Sequence, residues 1–288
     1  MMIREALLGA RQKLMHLEAP GLDSEVLLAH VLAKPREHAL LHPEEVLDDE
    51  QAGEFGALIA RRANHEPVAY LVRRKEFYGR NFYVDQRVHI PRPATEDLVD
   101  AVKRELPPDF GGTIADIGTG SGCIAVTLAL EFPAARVFVT DMNEDALAVA
   151  RQNAEHHARI EATPPLGASL PLMERITFLH GSLGEPLTTP VDVLVANLPY
   201  GWQDGWTRDA EVLFQPDTSY LSGNDGLRDI SKLIQQLPRL LTKNGRAYLE
   251  FDPRQTAAIK KLAGRAGYAA TITRDMAGFE RIVRLAAS

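Results

Sequence analysis

The residues with the clearest chemical potential end a short apolar run, Val193-Leu-Val-Ala-Asn-Leu-Pro-Tyr200. A run rich in β-branched residues and bounded by a breaker predicts a buried strand. Because Leu198 precedes Pro199, its backbone is extended and its carbonyl turns outward. The Asn197 amide oxygen, this carbonyl and the Tyr200 ring suit a planar group whose NH2 is held by its hydrogens. The alternative interpretation is a plain strand exit with an asparagine as turn former.

A second cluster, Asp116-Ile-Gly118-Thr119-Gly120-Ser-Gly122, lies between a predicted strand, TIADIG, and a predicted helix, SGCIAVTLALEF. Glycines there allow a tight turn and let a ligand approach the backbone. Asp141 ends the next predicted strand and could accept hydrogen bonds from both ribose hydroxyls of an adenosine ligand. The glycines also fit the looser dinucleotide pattern, with Asp141 roughly 20 residues further on. This turn therefore predicts a nucleotide-like cofactor, either S-adenosylmethionine or a nicotinamide.

The pairing of these two clusters narrows the chemistry. In a sheet wound outward from its first strand, strands one and four are neighbours, so both loops would open into one crevice. A cofactor and a second substrate would meet there. The sequence offers no Ser/His/Asp relay, no catalytic pair of carboxylates and no Cys/His spacing for zinc, and Cys123 is its one cysteine. What remains is a reaction that mostly needs positioning, such as methyl transfer.

The elements that must position these residues form an α/β pattern. Residues 113–197 alternate strand and helix, which predicts a parallel sheet with helices on its faces. A helix over 226–241, a strand GRAYLEF, a helix over 253–266 and two terminal strands, YAATITR and ERIVRLA, follow. We predict that 159–171, rich in proline, is an exposed loop.

Three segments divide the chain. Residues 1–74 have apolar positions at helical spacing and predict a small helical domain that docks a partner. Over 75–92 the pattern becomes strand-like, which predicts a β-hairpin linker with Gly79-Arg80-Asn81 as its turn. Residues 93–288 form the α/β domain, and Pro93 suits the start of its first helix.

Composition excludes several classes of protein. The 288 residues are 45% hydrophobic and 25% charged, and no apolar run approaches the roughly 20 residues of a membrane span. The charged start, MMIREALLGARQKL, is unlike a secretory signal, so we expect a cytoplasmic protein. A net charge of −7 argues against direct nucleic-acid binding. His156 and His157 are adjacent rather than one turn apart, so we expect a solvated helix end and no metal site.

The motifs DIGTGSG, VTDMNEDAL and NLPY, with IPRPATE before them and a helical part ending in EPVAYLVRRKEFYG, resemble the HemK/PrmC family of glutamine methyltransferases. The resemblance runs over nearly the whole chain. It implies a Rossmann-like, seven-stranded S-adenosyl-L-methionine-dependent methyltransferase domain, mainly parallel with an antiparallel C-terminal strand. It also implies methylation of a glutamine side-chain amide in a protein, either the GGQ loop of a peptide-chain release factor or a ribosomal protein.

The resemblance also implies roles for individual residues. Asp116, Gly118 and Gly120 would line the methionine part of the cofactor, and Asp141 would hold its ribose. Asn197 and the Leu198 carbonyl would hold the target amide, in a motif completed by Pro199 and Tyr200. The further positions implied to contact the cofactor are Thr119, Gly122, Met142, Ser182 and Asn197 itself.

Three departures from the family pattern bear on the substrate. The usual NPPY has proline where this chain has Leu198, PRPETE becomes Pro91-Arg-Pro-Ala-Thr-Glu96, and Ser182 stands where an acid often follows the third strand. A leucine keeps the carbonyl but loses some rigidity. NLPY also occurs in ribosomal-RNA adenine dimethyltransferases, whose glycine turn and layout differ.

Three hypotheses therefore stay open. The first is a protein-glutamine methyltransferase. The second is an adenine-amino methyltransferase acting on RNA or DNA. The third is a nicotinamide-dependent oxidoreductase or an inactive cofactor-binding module, since a fold with a glycine turn does not fix function.

Overall fold

The computed structural model describes residues 1–160, 170–204, 210–275 and 277–287, which fall into two compact units. The first contains Met1–Arg74 and also Ala210–Phe214. The second contains the other described residues, from Lys75 onwards. Most of the loop predicted over 159–171 lies outside the described residues.

The first unit is helical. Its core is formed by apolar side chains that recur every three or four residues, among them Ile3, Leu27 and Ile59, all almost fully buried. Its five helices are α1 (Ile3–Lys13), α2 (Pro20–Leu32), α3 (Arg36–Leu41), α4 (Asp49–Ala63) and α5 (Val68–Leu71). Helix α4 begins at a capping box, in which Asp48 Oδ1 accepts from the Gln51 amide at 2.8 Å.

A buried arginine links three parts of this unit. Arg62, on α4, is 6% exposed. Its Nε donates to Asp23 Oδ2 at 2.7 Å, and its Nη2 lies 2.7 Å from Glu211 Oε1. A buried charge needs such partners, because burying it unpaired costs several kcal/mol. Glu211 belongs to the short 3₁₀ helix Ala210–Phe214, so a late segment of the chain completes the first unit.

The second unit starts with the predicted hairpin, β1 (Lys75–Phe77) and β2 (Arg80–Phe82). The prediction of its turn was wrong. Tyr78 and Gly79 form the turn, with φ of 53° and 70°, as in the two-residue turn whose twist matches that of hairpin strands. Arg80 is already paired with Phe77 in β2.

A seven-stranded sheet follows, and it confirms the predicted fold class. The strands lie in the order β5-β4-β3-β6-β7-β9-β8, and β9 is antiparallel to both of its neighbours while the rest of the sheet is parallel. The strands are β3 (Thr113–Ile117), β4 (Arg136–Asp141), β5 (Ile176–His180), β6 (Val191–Ala196), β7 (Leu241–Glu250), β8 (Tyr268–Arg274) and β9 (Glu280–Ala287).

Helices cover both faces of this sheet. Along β6, Val193 and Val195 enter one core while Leu194 and Ala196 enter the other, so the strand is buried on both sides. The helices of this unit are α6 (Glu96–Lys103), α7 (Cys123–Glu131), α8 (Glu144–Ile160), α9 (Leu172–Arg175), α10 (Arg228–Leu240) and α11 (Thr256–Arg265). No helix among the described residues has the length and apolar character to cross a membrane.

The interpretation of the histidine pair was wrong for one member. His156 is exposed, but His157 is 5% exposed, with its ring centroid 4.7 Å from that of Phe82. Its Nε2 lies 3.1 Å from the carbonyl oxygen of Asn81. The hairpin therefore covers this face of α8, a long-range contact that local polarity does not reveal.

Candidate active site

The candidate site lies where four neighbouring parallel strands end. Strand β3 pairs with β4 on one side and with β6 on the other, and β6 pairs with β7. As predicted, the glycine turn after β3 and the NLPY segment after β6 therefore leave adjacent strands. Asp141 closes β4 and Glu250 closes β7 at the same edge, which is where open α/β sheets bind ligands.

The glycine turn is fastened to the end of β4. The amides of Gly118 and Thr119 both donate to the Thr140 carbonyl, at 2.9 and 3.0 Å. The Gly120 amide donates to Asp141 Oδ2 at 3.0 Å. Gly120 has a φ of 54°, and a β-carbon placed there would meet no atom within 4 Å. The turn thus presents bare backbone to open space, as a close ligand contact requires.

Gly122 has a different setting. A β-carbon on it would lie 3.0 Å from the β-carbon of Ala150. This glycine therefore lets α7 approach α8 closely, and it does not face open space. Its direct contact with a cofactor remains a prediction.

Asp116 lies fully buried beneath the turn. Its Oδ2 accepts from the Thr119 hydroxyl at 2.7 Å. Its Oδ1 is also buried and has no hydrogen-bond partner among the described residues. Burial raises the pKa of Asp116 to about 7, and the bond from Thr119 opposes the shift. The site thus contains an acceptor that a ligand donor could satisfy.

Asp141 is held by two backbone amides. Oδ2 accepts from Gly120, and Oδ1 accepts from the Asn143 amide at 2.9 Å. Burial raises the pKa of Asp141, and the bonds from Asn143 and Gly120 oppose the shift. Each carboxylate oxygen keeps a further lone pair for a ligand hydroxyl. Beside it, Met142 is 65% exposed, and Ser182 is exposed just beyond β5.

The NLPY segment presents two unused acceptors. Asn197 Nδ2 donates to the Thr95 hydroxyl at 3.0 Å, so Oδ1 of the same amide points away from Thr95. Among the residues that the structure describes, none donates to Asn197 Oδ1 or to the Leu198 carbonyl. The Leu198 side chain is 4% exposed, whereas Pro199 is partly exposed. Two acceptors on consecutive residues can take the two hydrogens of one NH2 group.

Tyr200 is anchored at both ends. Its hydroxyl donates to Glu250 Oε1 at 3.2 Å, and its carbonyl accepts from Gln255 Nε2 at 3.0 Å. Burial, and then the charge of Glu250, raise the pKa of Tyr200 well above its usual range, so the phenol stays neutral. Burial also raises the pKa of Glu250, which is 1% exposed.

Sequence reasoning missed three of these polar residues, Thr95, Glu250 and Gln255. Glu250 could have been found, because it is an acid at the end of a predicted strand on the binding edge. Thr95 lies within IPRPATE, but its bond to a residue 102 positions away has no local signal. Gln255 had none either. Nowhere in the described ranges do three His, Cys, Asp or Glu side chains group as metal ligands.

Comparisons with known proteins agree with this architecture. The family model described as the PrmC N-terminal domain matches residues 5–72, and the methyltransferase small domain matches residues 93–169. A release factor glutamine methyltransferase from Neisseria gonorrhoeae is 37% identical over 268 residues, which are 91% of this chain and 92% of the relative. The Aliivibrio fischeri protein of the same name is 33% identical over 269 residues, 92% of this chain and 89% of the relative.

A solved structure shares the fold at low sequence identity. The methyltransferase from Pyrococcus furiosus superposes with a TM-score of 0.53 at 15% identity, covering 79% of this chain and 98% of that one. At this identity the likeness supports the fold alone. The two relatives, each matched over most of both chains, place this protein in the family of release factor glutamine methyltransferases.

Proposed function

We propose that this protein transfers a methyl group from S-adenosyl-L-methionine to the side-chain amide nitrogen of a glutamine in a protein. The carrying observation is the pair of unused acceptors, Asn197 Oδ1 and the Leu198 carbonyl, beside the glycine turn. The substrate we propose is the GGQ loop of a peptide-chain release factor, in keeping with the names of the relatives.

The residues at the edge of the sheet fit the proposed cofactor. Asp116 Oδ1, buried without a partner, suits the ammonium group of the methionine part. Asp141 is fixed by two amides and suits the ribose hydroxyls. The open space beside Gly120 lets the ligand approach the backbone. When bound, S-adenosyl-L-methionine supplies an electrophilic methyl group on its sulfonium sulfur.

The remaining positions in this proposal have supporting roles. Thr119 holds Asp116 through its hydroxyl, Gly118 shapes the turn, and Gly122 seats α7 on α8. Met142 offers an exposed apolar surface beside Asp141. Ser182, exposed where relatives of the pattern have an acid, would contact the cofactor without adding charge.

The chain's own contribution to the reaction is orientation. The nitrogen of a primary amide is a poor nucleophile because its lone pair is delocalised into the carbonyl. If Asn197 Oδ1 and the Leu198 carbonyl each accept one N–H, the amide is fixed with its nitrogen facing the cofactor and the nitrogen gains electron density. Tyr200, held by Glu250 and Gln255, would pack against the amide plane, and Pro199 stiffens the segment.

We propose a division of labour along the chain. Residues 1–74 dock the protein substrate, residues 75–92 link the domains, and residues 93–288 bind the cofactor and carry out the transfer. We also place the protein in the cytoplasm, because its proposed substrate acts in translation.

The deciding experiment offers radiolabelled S-adenosyl-L-methionine with three acceptors: a release factor with GGQ, the same protein with that glutamine changed to alanine, and ribosomal RNA. We expect label on the intact release factor alone. Label on RNA, or equal label on the alanine variant, would overturn the proposal, because an adenine amino group fits the same two acceptors. Calorimetry in which NAD binds and S-adenosyl-L-methionine does not would overturn the cofactor.

A further inference from the structure

A buried polar chain runs behind Asn197. Its first link is Thr95, which is 2% exposed and whose hydroxyl oxygen accepts from Asn197 Nδ2 at 3.0 Å. Thr95 ends the 3₁₀ helix Pro93–Thr95, directly before α6. Its position is therefore set by rigid backbone rather than by a mobile loop.

The second link is Glu250, at the end of β7 next to β6. Its Oε1 accepts from the Tyr200 hydroxyl, and its Oε2 is buried without a partner among the described residues that meets hydrogen-bond geometry. A hydroxyl has one hydrogen to donate, and Thr95 uses its oxygen toward Asn197. Thr95 acts on Glu250 as a donor, since it lowers the pKa that burial raises.

This arrangement decides which way the Asn197 amide faces. A side-chain amide can sit with either its oxygen or its NH2 toward a ligand, and the two orientations have nearly the same shape. A hydroxyl whose hydrogen is directed to Glu250 offers Asn197 only a lone pair. The NH2 group must then face Thr95, and the oxygen must face the acceptor site.

We infer that Thr95, with its hydroxyl held by Glu250, is a positioning residue that fixes the Asn197 amide with its oxygen toward the substrate. The inference rests on the proposed function, since it assigns the oxygen of Asn197 to the target amide. Without Thr95 the amide can turn over and present NH2 to the N–H groups of the target, which repels them.

The test replaces Thr95 with valine, which keeps the shape and removes the hydroxyl. We expect Thr95→Val to lower kcat about tenfold or more, with the Kd for S-adenosyl-L-methionine within about threefold, because the lost contact is on the acceptor side. Thr95→Ser restores the hydroxyl and should keep kcat within about threefold of the parent. The matched control is Thr127→Val on α7, because Thr127 is fully buried and its hydroxyl has no partner. It should leave kcat unchanged.

Two further measurements separate positioning from packing. In an Asn197→Ala background, Thr95→Val should cause no further loss of kcat, and an equal loss in both backgrounds would overturn the inference. Solvent exchange of the Asn197 side-chain NH2, followed by ¹⁵N NMR and assigned with Asn197→Asp, should be slow in the parent and faster in Thr95→Val. Equal exchange rates would also overturn it.

The NMR measurement distinguishes failure of this inference from failure of the proposed function. If the parent protein methylates no release factor but its Asn197 NH2 is protected only when Thr95 is present, the proposed substrate is wrong and the positioning role stands. If methylation occurs and Thr95→Val changes neither exchange nor kcat, the positioning role is wrong and the proposed function stands.

Discussion

The side chain of Leu198 closes over the backbone of Gly118: a β-carbon added to Gly118 would lie 2.9 Å from Leu198 Cδ2. Gly118 also has a φ of 72°, so a glycine suits this position both for its conformation and for its contact. The contact joins the acceptor segment after β6 to the turn after β3. It gives a physical reason why leucine serves where the family pattern has proline, since packing replaces the rigidity of the ring.

The first prediction concerns this contact. Leu198→Ala keeps the carbonyl but leaves a cavity, and should lower the free energy of unfolding by about 2–5 kcal/mol and slow methyl transfer as the carbonyl loses its support. Denaturant unfolding and turnover measure the two effects. Leu233→Ala on α10, also at a fully buried leucine, should lose similar stability without the specific loss of turnover. Equal turnover in both variants would contradict a positioning role for Leu198.

A second prediction uses two glycines with the same kind of backbone. Gly120 and Gly267 have φ of 54° and 83°, and neither would place a β-carbon within 4 Å of another atom. Alanine should cost each about 1–2 kcal/mol of stability through strain alone. Gly120→Ala should in addition weaken S-adenosyl-L-methionine binding about tenfold or more by calorimetry, because the ligand would occupy that space. If Gly267→Ala weakens binding equally, the ligand does not lie against Gly120.

Asp141 carries the third prediction. Asp141→Ala removes a charged acceptor worth about 1.5–3 kcal/mol, so cofactor affinity should fall roughly tenfold to a hundredfold. The structure adds a second cause, because the Gly120 amide loses its partner too. The control is Glu144→Ala, three residues on, where the carboxylate is 80% exposed. Unchanged affinity for Asp141→Ala would place the ribose elsewhere.

The strand and helix order could be predicted because each element of the sheet carries its own local pattern. Strand β6 is an unbroken apolar run, and α10 buries Ile230, Leu233 and Leu237 at helical spacing. The ends of neighbouring parallel strands then follow from topology, which is why Asn197 and Asp116 could be brought together. The bond from Asn197 to Thr95 could not, because it depends on tertiary packing across 102 residues.

The fourth prediction concerns pH. The pKa of Asp116 is about 7 in the folded protein and near 3.8 when unfolded. Below pH 4 both states hold the proton, and between pH 4 and 7 only the folded state does. Stability should therefore fall by about 1.4 kcal/mol per pH unit across that window and level off above it.

Denaturant unfolding of the ligand-free protein from pH 4 to 8, compared with Asp116→Asn, isolates this contribution. The difference in unfolding free energy should widen up to about pH 7 and then stay constant. Saturating S-adenosyl-L-methionine should flatten the slope, because a bound ammonium favours the ionised carboxylate. A slope of the opposite sign would mean that Asp116 is stabilised as an anion even without ligand.

The fifth prediction concerns the acceptor side. Asn197→Ala should cut turnover by ~10²-fold or more while cofactor affinity stays within about threefold, since the lost contact touches only the target. Asn197→Asp keeps an acceptor and should retain part of the activity. Single-turnover assays and calorimetry on each variant give the two numbers. A large loss of cofactor affinity with turnover preserved at saturation would move Asn197 to the cofactor side.

The ion pair between Arg62 and Glu211 has a consequence for the order in which the protein is made. Arg62 leaves the ribosome early, but Glu211, which lies 2.7 Å from it in the finished first unit, is synthesised only after most of the sheet. At about 5–20 residues per second the wait is on the order of ten seconds. During that time the guanidinium has Asp23 but lacks its second acid. The N-terminal helices thus emerge first and are completed late, and a fragment ending at Arg74 lacks a part of its own fold.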